Sequence, residues 1–390
     1  MTTPEAIRST VADVDLDAIA ANLAAIRSRA GAEVIAVVKA DAYGHGAEAV
    51  AETAFEAGAV MVAVATVEEG LVLRQAGVSG PILVLLGAGE SSEVVHAVAQ
   101  DLVLTVWDPE RARALSEAAT ALRRVARVHF KVDTGLTRLG APVSEAATRY
   151  QAISALARIE IDGIFTHFAT ADSPDITNDR AQLAKFREVL SGLRERPRLV
   201  HAAASAGVAA FGRIDGVNAV RTGLAVYGVH AAPHLAGALE LRPALSWRSR
   251  VHRLASVSAG TGVSYGHEYR LPRDGRVATV PVGYGDGVPW LAAKSAGVLI
   301  RGRHVRFAGR VCMDLVMLDV TDVEGAREGD EIVIIGHQAG AAQSAVDLAA
   351  ACGTISHEIL TGIRRRVPRR YFRGGKLVAT RTLAEGYHAR

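Results

Sequence analysis

A lysine whose position suits covalent chemistry follows the first strongly apolar segment of the chain. EVIAVV (residues 33–38) has the β-branched composition of a strand buried on both faces, and Lys39 follows it directly. A partly desolvated lysine has a lowered pKa and forms Schiff bases. The next residues, YGHG (43–46), add a phenol, an imidazole and two glycines that allow close approach of the backbone. The pattern predicts a site for pyridoxal phosphate or a carbonyl substrate; the alternative is a lysine that reaches solvent.

Further basic side chains stand at the ends of apolar segments: Lys131 and Arg138 in KVDTGLTRLG, His167 in GIFTHFATAD and Arg221 in VRTGLAVYG. Individually, a Lys and Arg pair in a loop is more often simply exposed, and a histidine on an apolar strand is more often a satisfied core residue than a catalyst. The residue types alone do not decide between these interpretations.

The elements that must position these residues alternate in kind from about residue 14 to 230. Short β-branched runs alternate with alanine-rich amphipathic stretches such as 47–57, 67–75 and 110–121. Strands and helices in alternation with short connections predict a parallel sheet. At least six such units precede residue 200 and two more candidate strands follow, which predicts a (β/α)8 TIM barrel with active-site residues at the C-terminal strand ends. An open, doubly wound sheet is the alternative, because periodicity does not distinguish closure.

After about residue 240 the pattern changes to short alternating strands broken by Gly, Asp and Arg. We therefore expect an α/β fold with a cofactor-binding barrel in residues 1–240 and a mostly β domain in residues 241–390. This division allows the first strand of the chain, although it lies within residues 1–240, to pair with strands of the second domain.

Composition excludes several classes of protein. The 390 residues carry a formal net charge of +3, too little for an electrostatic nucleic-acid binder, and RRRVPRRYFR (364–373) is interpreted as a solvated segment or subunit contact. The two cysteines favour a reducing compartment, and no signal-like segment or apolar run of about 20 residues occurs. No His, Cys or carboxylate cluster has metal-site spacing. We expect a cytoplasmic protein with a small-molecule substrate and no metal, nucleic acid or membrane partner.

AVVKADAYGHG (36–46) resembles the cofactor-lysine motif of the alanine racemase family. The resemblance extends from VDLDAIAANL (14–23) to HEILTGIRRRVPRRY (357–371). It implies pyridoxal 5′-phosphate as cofactor, a barrel followed by a β domain, a homodimer with shared active sites, and interconversion of L- and D-alanine for peptidoglycan. By this resemblance Lys39 holds the cofactor covalently and Tyr43 contacts its phosphate.

The resemblance also implies roles for the other barrel residues. Arg138 is expected to hold the substrate carboxylate, and Lys131 to be carbamylated, which gives an anion that orients Arg138. His167 is expected to link an active-site tyrosine to Arg221, which faces the pyridine nitrogen. Because arginine keeps its proton, the ring stays unprotonated and is a weaker electron sink, which favours racemisation over transamination or decarboxylation.

The phosphate is expected to contact Ser205 and the backbone N–H groups of Gly223 and Leu224. Two positions depart from the family here: Ala204 stands where asparagine is usual, and His357 stands where a tyrosine binds the phosphate. Histidine is shorter and leaves extra room beside the substrate side chain. The alternative hypothesis is therefore an amino-acid racemase of broader or shifted specificity, for example for serine.

In the second domain, GVSYGHEYR (262–270) carries Tyr265, which matches the family's second catalytic base. The resemblance implies that Tyr265 acts in the partner subunit's active site, opposite Lys39 on the other face of the α-carbon. Tyr284 is expected to line the approach to the site, and the backbone at Met313 to meet the substrate carboxylate. Trp290 replaces an arginine that is usual beside this approach.

Two functions of other classes are disfavoured. A non-catalytic carrier of pyridoxal phosphate needs only the barrel, so the second domain with Tyr265 and the Met313 segment argues against it. A barrel decarboxylase or aldolase pairs the pyridine nitrogen with an acid, whereas this chain has Arg221.

Overall fold

The computed structural model describes residues 8–384 and 386–389, which divide into two units. The barrel unit contains residues 18–42 and 47–242, and the β unit contains residues 8–17, 43–46 and the chain from 243 onward. No helix of these residues is long and apolar enough to cross a membrane. Nor do three or more of their His, Cys, Asp or Glu side chains gather where they could hold a metal ion.

Eight parallel strands close into a cylinder in the barrel unit. Glu33–Val37 pairs with Met61–Val64 on one side and with Ala219–Thr222 on the other, and Val103–Val106 pairs with Ala126–Asp133, so the ring is complete. In order along the chain, the strands are Glu33–Val37, Met61–Val64, Ile82–Val84, Val103–Val106, Ala126–Asp133, Ile159–Phe165, Leu199–His201 and Ala219–Thr222. The predicted TIM barrel is confirmed, and the open doubly wound sheet is wrong.

Strand and helix signals in the sequence account for this alternation. Every residue of Met61–Val64 and Val103–Val106 is buried, as parallel strands covered on both faces require. Thr66 and Glu69 form a capping box that begins the next helix. The helices of this region are Leu16–Ala30, Ala47–Glu56, Val67–Gln75, Ser91–Ala99, Pro109–Ala121, Val143–Ser154, Thr177–Ser191 and Ser205–Phe211, with 3-10 turns at Leu224–Tyr227 and Pro233–Ala238 and a short strand at Ala141–Pro142.

The β unit is built mainly of antiparallel strands, as predicted for the C-terminal region. Val11–Asp15 lies in its largest sheet, antiparallel to Leu245–Arg250 and parallel to Arg369–Arg373. The other strands are Arg253–Val257, Gly262–Val263, Tyr269–Arg270, Gly275–Val280, Gly297–Ile300, Arg303–Arg306, Val316–Asp319, Glu331–Gln338, Ala341–Gln343, Lys376–Thr382 and Gly386–Ala389. Helices Ala345–Cys352 and Ser356–Gly362 and 3-10 turns at Tyr265–His267 and Trp290–Lys294 complete the described part of the unit.

Candidate active site

Lys39 follows the first barrel strand, where the strand leaves the cylinder. Val38 still pairs with the neighbouring strand, since its N–H donates to Ala63 O at 2.8 Å. Burial lowers the pKa of Lys39 and the Arg138 guanidinium lowers it further, while Glu69 acts in the opposite direction. A lowered pKa leaves more of the amine unprotonated, as attack on a carbonyl carbon requires.

The backbone after Lys39 turns in the left-handed sense. Residues 40–43 have φ values between 51° and 56°, a conformation that costs L-residues about 1–2 kcal/mol each. The Glu69 carboxylate offsets part of this cost, because Oε1 accepts the Ala40 N–H and Oε2 accepts the Ala65 N–H, both at 2.7 Å. Sequence reasoning missed Glu69. Its capping-box position was readable, but its contact with Ala40 was not.

Basic side chains cluster around Lys39. The pKa of Lys131 is lowered to about 8, by burial first and then by Arg221 and Arg138, against the effect of Asp133. Burial, followed by the same two guanidinium groups, lowers the pKa of His167 to about 3. His167 is therefore neutral near pH 7, and the surrounding cluster of basic side chains is suited to anionic groups.

Arg221 is buried and held by the two terminal nitrogens of its guanidinium. Nη1 donates to His201 Nδ1 at 2.8 Å, and Nη2 donates to Thr166 O at 2.7 Å, His167 Nδ1 at 3.1 Å and Ala202 O at 3.3 Å. Burial lowers its pKa to about 9, so it remains a cation at neutral pH. Among the described residues, none accepts a hydrogen bond from Nε. One donor of Arg221 is thus left for an acceptor atom of a bound molecule.

Backbone donors converge at Ser205. Its Oγ accepts the N–H groups of Gly223 and Ala225, each at 3.1 Å. Leu224 lies between these two donors and begins a 3-10 turn. Ala204 precedes the helix without a side-chain hydrogen bond to its first turn. Ala225 was not recognised in the sequence, because a contact made through backbone N–H leaves no signature in residue type.

Tyr43 and His357 lie together in the β unit, with ring centroids 5.9 Å apart. Burial raises the pKa of Tyr43 to about 12, so its phenol stays protonated and able to donate. Gly44 permits the close approach of the intervening backbone, because a Cβ at this position would lie 2.1 Å from Leu360 O. This explains one glycine of the YGHG segment.

Tyr265 and Met313 are among the most exposed large apolar side chains of the β unit, at 70% and 52%. Together with Ser264 and the rest of residues 312–315 they line a cavity of about 420 Å³. Two predicted residues of the second domain therefore share one surface depression.

Tyr284 and the Met313 loop are joined through the backbone. Tyr284 N–H donates to Cys312 O at 3.0 Å, and Gly285 N–H donates to Met313 O at 2.8 Å. The Tyr284 side chain borders a different cavity, of about 620 Å³, which is also lined by Trp290. Two backbone hydrogen bonds thus connect the Tyr284 loop to the Met313 loop.

Arg366 ties the same two loops together through side chains. Its guanidinium donates to Asp286 Oδ1 at 2.7 Å and to Asp314 Oδ1 at 2.5 Å. Asp286 is completely buried and also accepts from Arg8 and from Gly283 N–H. Asp286 and Arg366 were not recognised as positioning elements, because the residues they connect are distant in the sequence.

The predicted residues thus fall into two sets. The barrel unit holds Lys39, Lys131, Arg138, His167, Ser205, Arg221, Gly223 and Leu224, and the β unit holds Tyr43, Tyr265, Tyr284, Met313 and His357. The first set contains a cluster of basic side chains and, at Ser205, two backbone N–H groups that donate to its hydroxyl. The second set contains three phenols, one imidazole and the Met313 loop.

Comparison with known proteins assigns this arrangement to a family. A model described as "Alanine racemase, N-terminal domain" matches residues 14–231, and one described as "Alanine racemase, C-terminal domain" matches residues 244–371. Alanine racemases of Halothermothrix orenii and Symbiobacterium thermophilum are 41% and 43% identical to the chain over 274 and 277 residues. These regions make up 70% of this chain in both cases, and 72% and 73% of the two relatives.

Solved structures agree over nearly the whole chain. The crystal structure of alanine racemase from Bacillus anthracis with bound L-Ala-P has a TM-score of 0.90 to this protein at 35% sequence identity. The match covers 98% of this chain and 99% of that one.

Proposed function

Because the chain belongs to the alanine racemase family and interconverts L- and D-alanine, we propose that it does so with pyridoxal 5′-phosphate joined covalently to Lys39. When bound, the cofactor draws off the electron pair that remains on the α-carbon after the proton leaves. Protein side chains perform the proton movements. The observation that carries this proposal is the Lys39 amine, whose pKa is lowered by burial and which lies within a cluster of basic side chains that includes Arg138 and Lys131.

Residues of the barrel unit fit the parts of this cofactor. Arg221 Nε is a donor without an acceptor among the described residues, which suits an unprotonated ring nitrogen. Ser205 Oγ accepts the N–H groups of Gly223 and Ala225, which leaves its own hydroxyl proton and the N–H of Leu224, between these two residues, as the donors proposed for the phosphate oxygens. In this role Arg221 keeps the ring nitrogen from gaining a proton.

Tyr43 and His357 are proposed to complete the phosphate site. The raised pKa of Tyr43, caused by burial, keeps its phenol a donor throughout the physiological range. The His357 ring lies 5.9 Å from the Tyr43 ring, tilted by 44°, and can donate from either ring nitrogen, depending on its tautomer.

Two bases on opposite faces of the α-carbon are proposed to exchange its proton. Lys39 serves the D face, and Tyr265 of a partner subunit serves the L face. Exposure of the Tyr265 and Met313 side chains supports this assignment, since a large exposed apolar cluster favours a partner surface. The protein is therefore proposed to be a homodimer with shared sites.

The substrate carboxylate is proposed to lie between the Arg138 guanidinium and the backbone N–H of the partner subunit's Met313. Lys131 is proposed to react with carbon dioxide: the unprotonated amine attacks carbon, an N–C bond forms, and the displaced proton leaves to solvent. The resulting carbamate anion pairs with Arg138, whereas an ammonium would repel it. The lowered pKa of Lys131, about 8, supplies the unprotonated amine.

Cytoplasmic D-alanine supply for peptidoglycan is the proposed cellular role. A sequence with only two cysteines suits a reducing compartment. The alternative of a broader or shifted substrate, such as serine, rests on Ala204 and His357, but the relatives favour alanine. A racemisation panel on the purified protein decides the matter, since a kcat/KM for serine at or above that for alanine would reverse this preference.

Complementation between inactive chains tests the shared site. Lys39→Ala and Tyr265→Phe proteins are each expected to be inactive, and only wild type and Tyr265→Phe should give a borohydride-reducible chromophore. After unfolding and refolding together they should recover about a quarter of wild-type activity, because half of randomly formed dimers are mixed and half of their sites are intact. A colourless wild type would refute the cofactor proposal, and absence of recovery would refute the exchange of Tyr265 between subunits.

A further inference from the structure

A line of polar side chains crosses the interior of the barrel behind Arg221. His129 and His201 are both completely buried. His129 Nδ1 lies 2.8 Å from His201 Nε2, and His201 Nδ1 lies 2.8 Å from Arg221 Nη1. TIM-barrel interiors are ordinarily filled by branched apolar side chains, so two hydrogen-bonded imidazoles are a departure that needs a reason.

The surrounding backbone is shaped to hold these rings. The pairing of Ala126–Asp133 with Ile159–Phe165 shifts register between Val128 and His129. At Gly163, opposite His129, an added Cβ would lie 2.6 Å from the imidazole ring. The His129 ring therefore occupies space that only glycine leaves open.

His201 is fixed on its other side by an aromatic contact. The Phe165 ring stacks on the imidazole with centroids 4.7 Å apart and planes inclined by 10°. The Arg221 guanidinium also lies over Phe165, with Cζ 4.6 Å from the ring centroid. Rotation of His201 about its χ angles is thus blocked, and its protonation pattern decides what it offers to Arg221.

A buried carboxylate stands at the far end of the line. The Asp162 side chain is only 7% exposed, and Arg198 binds it through Nε at 2.8 Å and Nη2 at 2.6 Å. His129 Nε2 lies 3.7 Å from Asp162 Oδ2, too close for an intervening water and about 0.7 Å beyond a direct hydrogen bond. Within the described part of the chain, no atom forms a hydrogen bond with His129 Nε2.

The ring nitrogen that carries the hydrogen in His201 and in His129 follows from the groups at the two ends of the line. Burial keeps the pKa of His129 and of His201 below the ordinary value, so both rings are neutral and each carries one N–H. Arg221 can only donate, so His201 Nδ1 must accept and its hydrogen lies on Nε2. That hydrogen is donated to His129 Nδ1, which leaves the His129 hydrogen on Nε2, facing the Asp162 carboxylate.

We propose that Asp162 and His129 are positioning residues for Arg221, which lock His201 in the Nε2–H tautomer and thereby hold the guanidinium in one orientation. If the carboxylate is lost, His129 has no anion to favour its Nε2–H form. The reversed tautomer pair would then point the Nδ1–H of His201 at a guanidinium N–H. Arg221 would rotate, and its Nε–H would no longer point toward the pyridine nitrogen of the cofactor. This inference rests on the proposed role of Arg221 toward the cofactor.

The tautomers are measurable in the cofactor-free wild type. Long-range ¹H–¹⁵N NMR of histidine-labelled protein, assigned with His129→Gln and His201→Gln, should show both rings as Nε2–H at pH 7.5. A His201 ring protonated at Nδ1, or at both nitrogens, would overturn the proposal. Because no cofactor is present, this result is independent of whether Lys39 binds pyridoxal phosphate.

Asp162→Asn is the informative substitution, with Arg198→Met as its matched control. Arg198 is more than half exposed and binds the same carboxylate from outside the line. Asp162→Asn should give mixed His129 tautomers, shift the absorption maximum of bound cofactor, and lower kcat about tenfold with KM within about twofold. Arg198→Met should lower the melting temperature but leave tautomers, absorption and kcat unchanged.

Asp162→Glu, unlike Asp162→Asn, should keep kcat near the wild-type value, because the longer carboxylate side chain closes the gap to His129. The proposal would be overturned if Asp162→Asn and Arg198→Met had equal effects. It would also be overturned if Asp162→Asn kept the wild-type tautomers and kcat. In either case Asp162 and Arg198 would form only a structural salt bridge. Should Asp162→Asn fail to fold, the wild-type tautomers and Asp162→Glu still decide. A failure of the proposed function would look different, since it would remove absorption and activity from wild type as well.

Discussion

The Glu69 carboxylate accepts the backbone N–H of Ala40 at 2.7 Å, one residue after Lys39. The same side chain accepts the Ala65 N–H through its other oxygen. Glu69 thus joins the ends of two neighbouring strands and supports the left-handed turn of residues 40–43. Among the described residues, Glu69 is also the carboxylate that opposes the lowering of the Lys39 pKa caused by burial and by Arg138.

Glu69→Gln should therefore destabilise the turn and change the titration of Lys39. An amide presents one oxygen to two N–H groups, and the lost charge-assisted hydrogen bond is worth about 1–3 kcal/mol of unfolding free energy. Without the anion the pKa of Lys39 falls further, so attachment of pyridoxal phosphate should extend to lower pH. Urea unfolding and pH-dependent absorbance measure both effects. Exposed Glu68→Gln is the control, and identical behaviour of the two variants would contradict this role.

Gly46→Ala should be far more damaging than Gly77→Ala. Both glycines have positive φ, +100° and +90°, so both variants incur the conformational penalty. A Cβ at position 46 would lie 1.8 Å from Tyr371 Oη, whereas one at position 77 has no neighbour within 4 Å. The loss of unfolding free energy should be larger in Gly46→Ala by about 2 kcal/mol. Equal losses in thermal and urea unfolding would show that the contact relaxes without cost.

Lys131 should show reversible carbamylation that increases with pH. Its pKa, lowered to about 8 by burial and then by Arg221 and Arg138, makes the unprotonated fraction rise roughly tenfold from pH 6 to pH 7 and level off above about pH 9. In ¹³C-bicarbonate, NMR should reveal a carbamate resonance that Lys131→Ala lacks and exposed Lys185→Ala keeps. Lys131→Ala should raise KM for alanine about tenfold, because Arg138 loses its anionic partner. An unaltered resonance in Lys131→Ala would assign the modification elsewhere.

The barrel strands were readable from the sequence because their burial on both faces demands continuous β-branched runs. The helix Val67–Gln75 was equally readable, since amphipathic spacing and a capping box coincide there. The turn after Lys39 was not, because Ala and Asp carry no signal for positive φ. Its support comes from Glu69, which is 29 residues from Ala40.

The line of His201, His129 and Asp162 behind Arg221 was also not recognised in the sequence, because these residues lie in ordinary strand segments. ARVHFKVD (126–133) and LVHAAAS (199–205) have the composition of strands, but a histidine within a strand does not reveal whether it faces the interior. Gly163 was the available clue, since glycine inside a buried strand often marks close approach of another group. Pairing register, which only the fold supplies, places it opposite His129.

Arg366→Met should loosen the Tyr284 and Met313 loops together. The substitution removes one of two guanidinium partners of buried Asp286 and the partner of Asp314, at a cost of about 1–3 kcal/mol in unfolding free energy. If the Met313 backbone meets the substrate carboxylate, KM for alanine should rise about fivefold while cofactor absorption stays unchanged. Arg365→Met, at an exposed neighbour, is the control. A normal KM in a destabilised Arg366→Met protein would confine Arg366 to a structural role.

Acid should unfold the cofactor-free protein through its buried histidines. Burial, as the largest cause, lowers the pKa of His129, His167 and His201, to about 3 for His167, so the folded state keeps these rings neutral. Unfolded histidines bind protons below about pH 6.5, so the unfolded state binds more protons there and stability falls as pH falls. Each ring contributes a slope of up to about 1.4 kcal/mol per pH unit.

Urea unfolding of the cofactor-free protein at intervals from pH 7.5 to pH 5 measures this dependence. Stability should be flat above about pH 7 and decline below pH 6.5, and His167→Asn should remove the contribution of one proton from the slope. His96→Asn is the matched control, because that ring is exposed and binds only Ser92 O of its own helix. If His167→Asn and wild type decline in parallel, the His167 ring takes up its proton in the folded state, and its neutrality beside Arg221 must be abandoned.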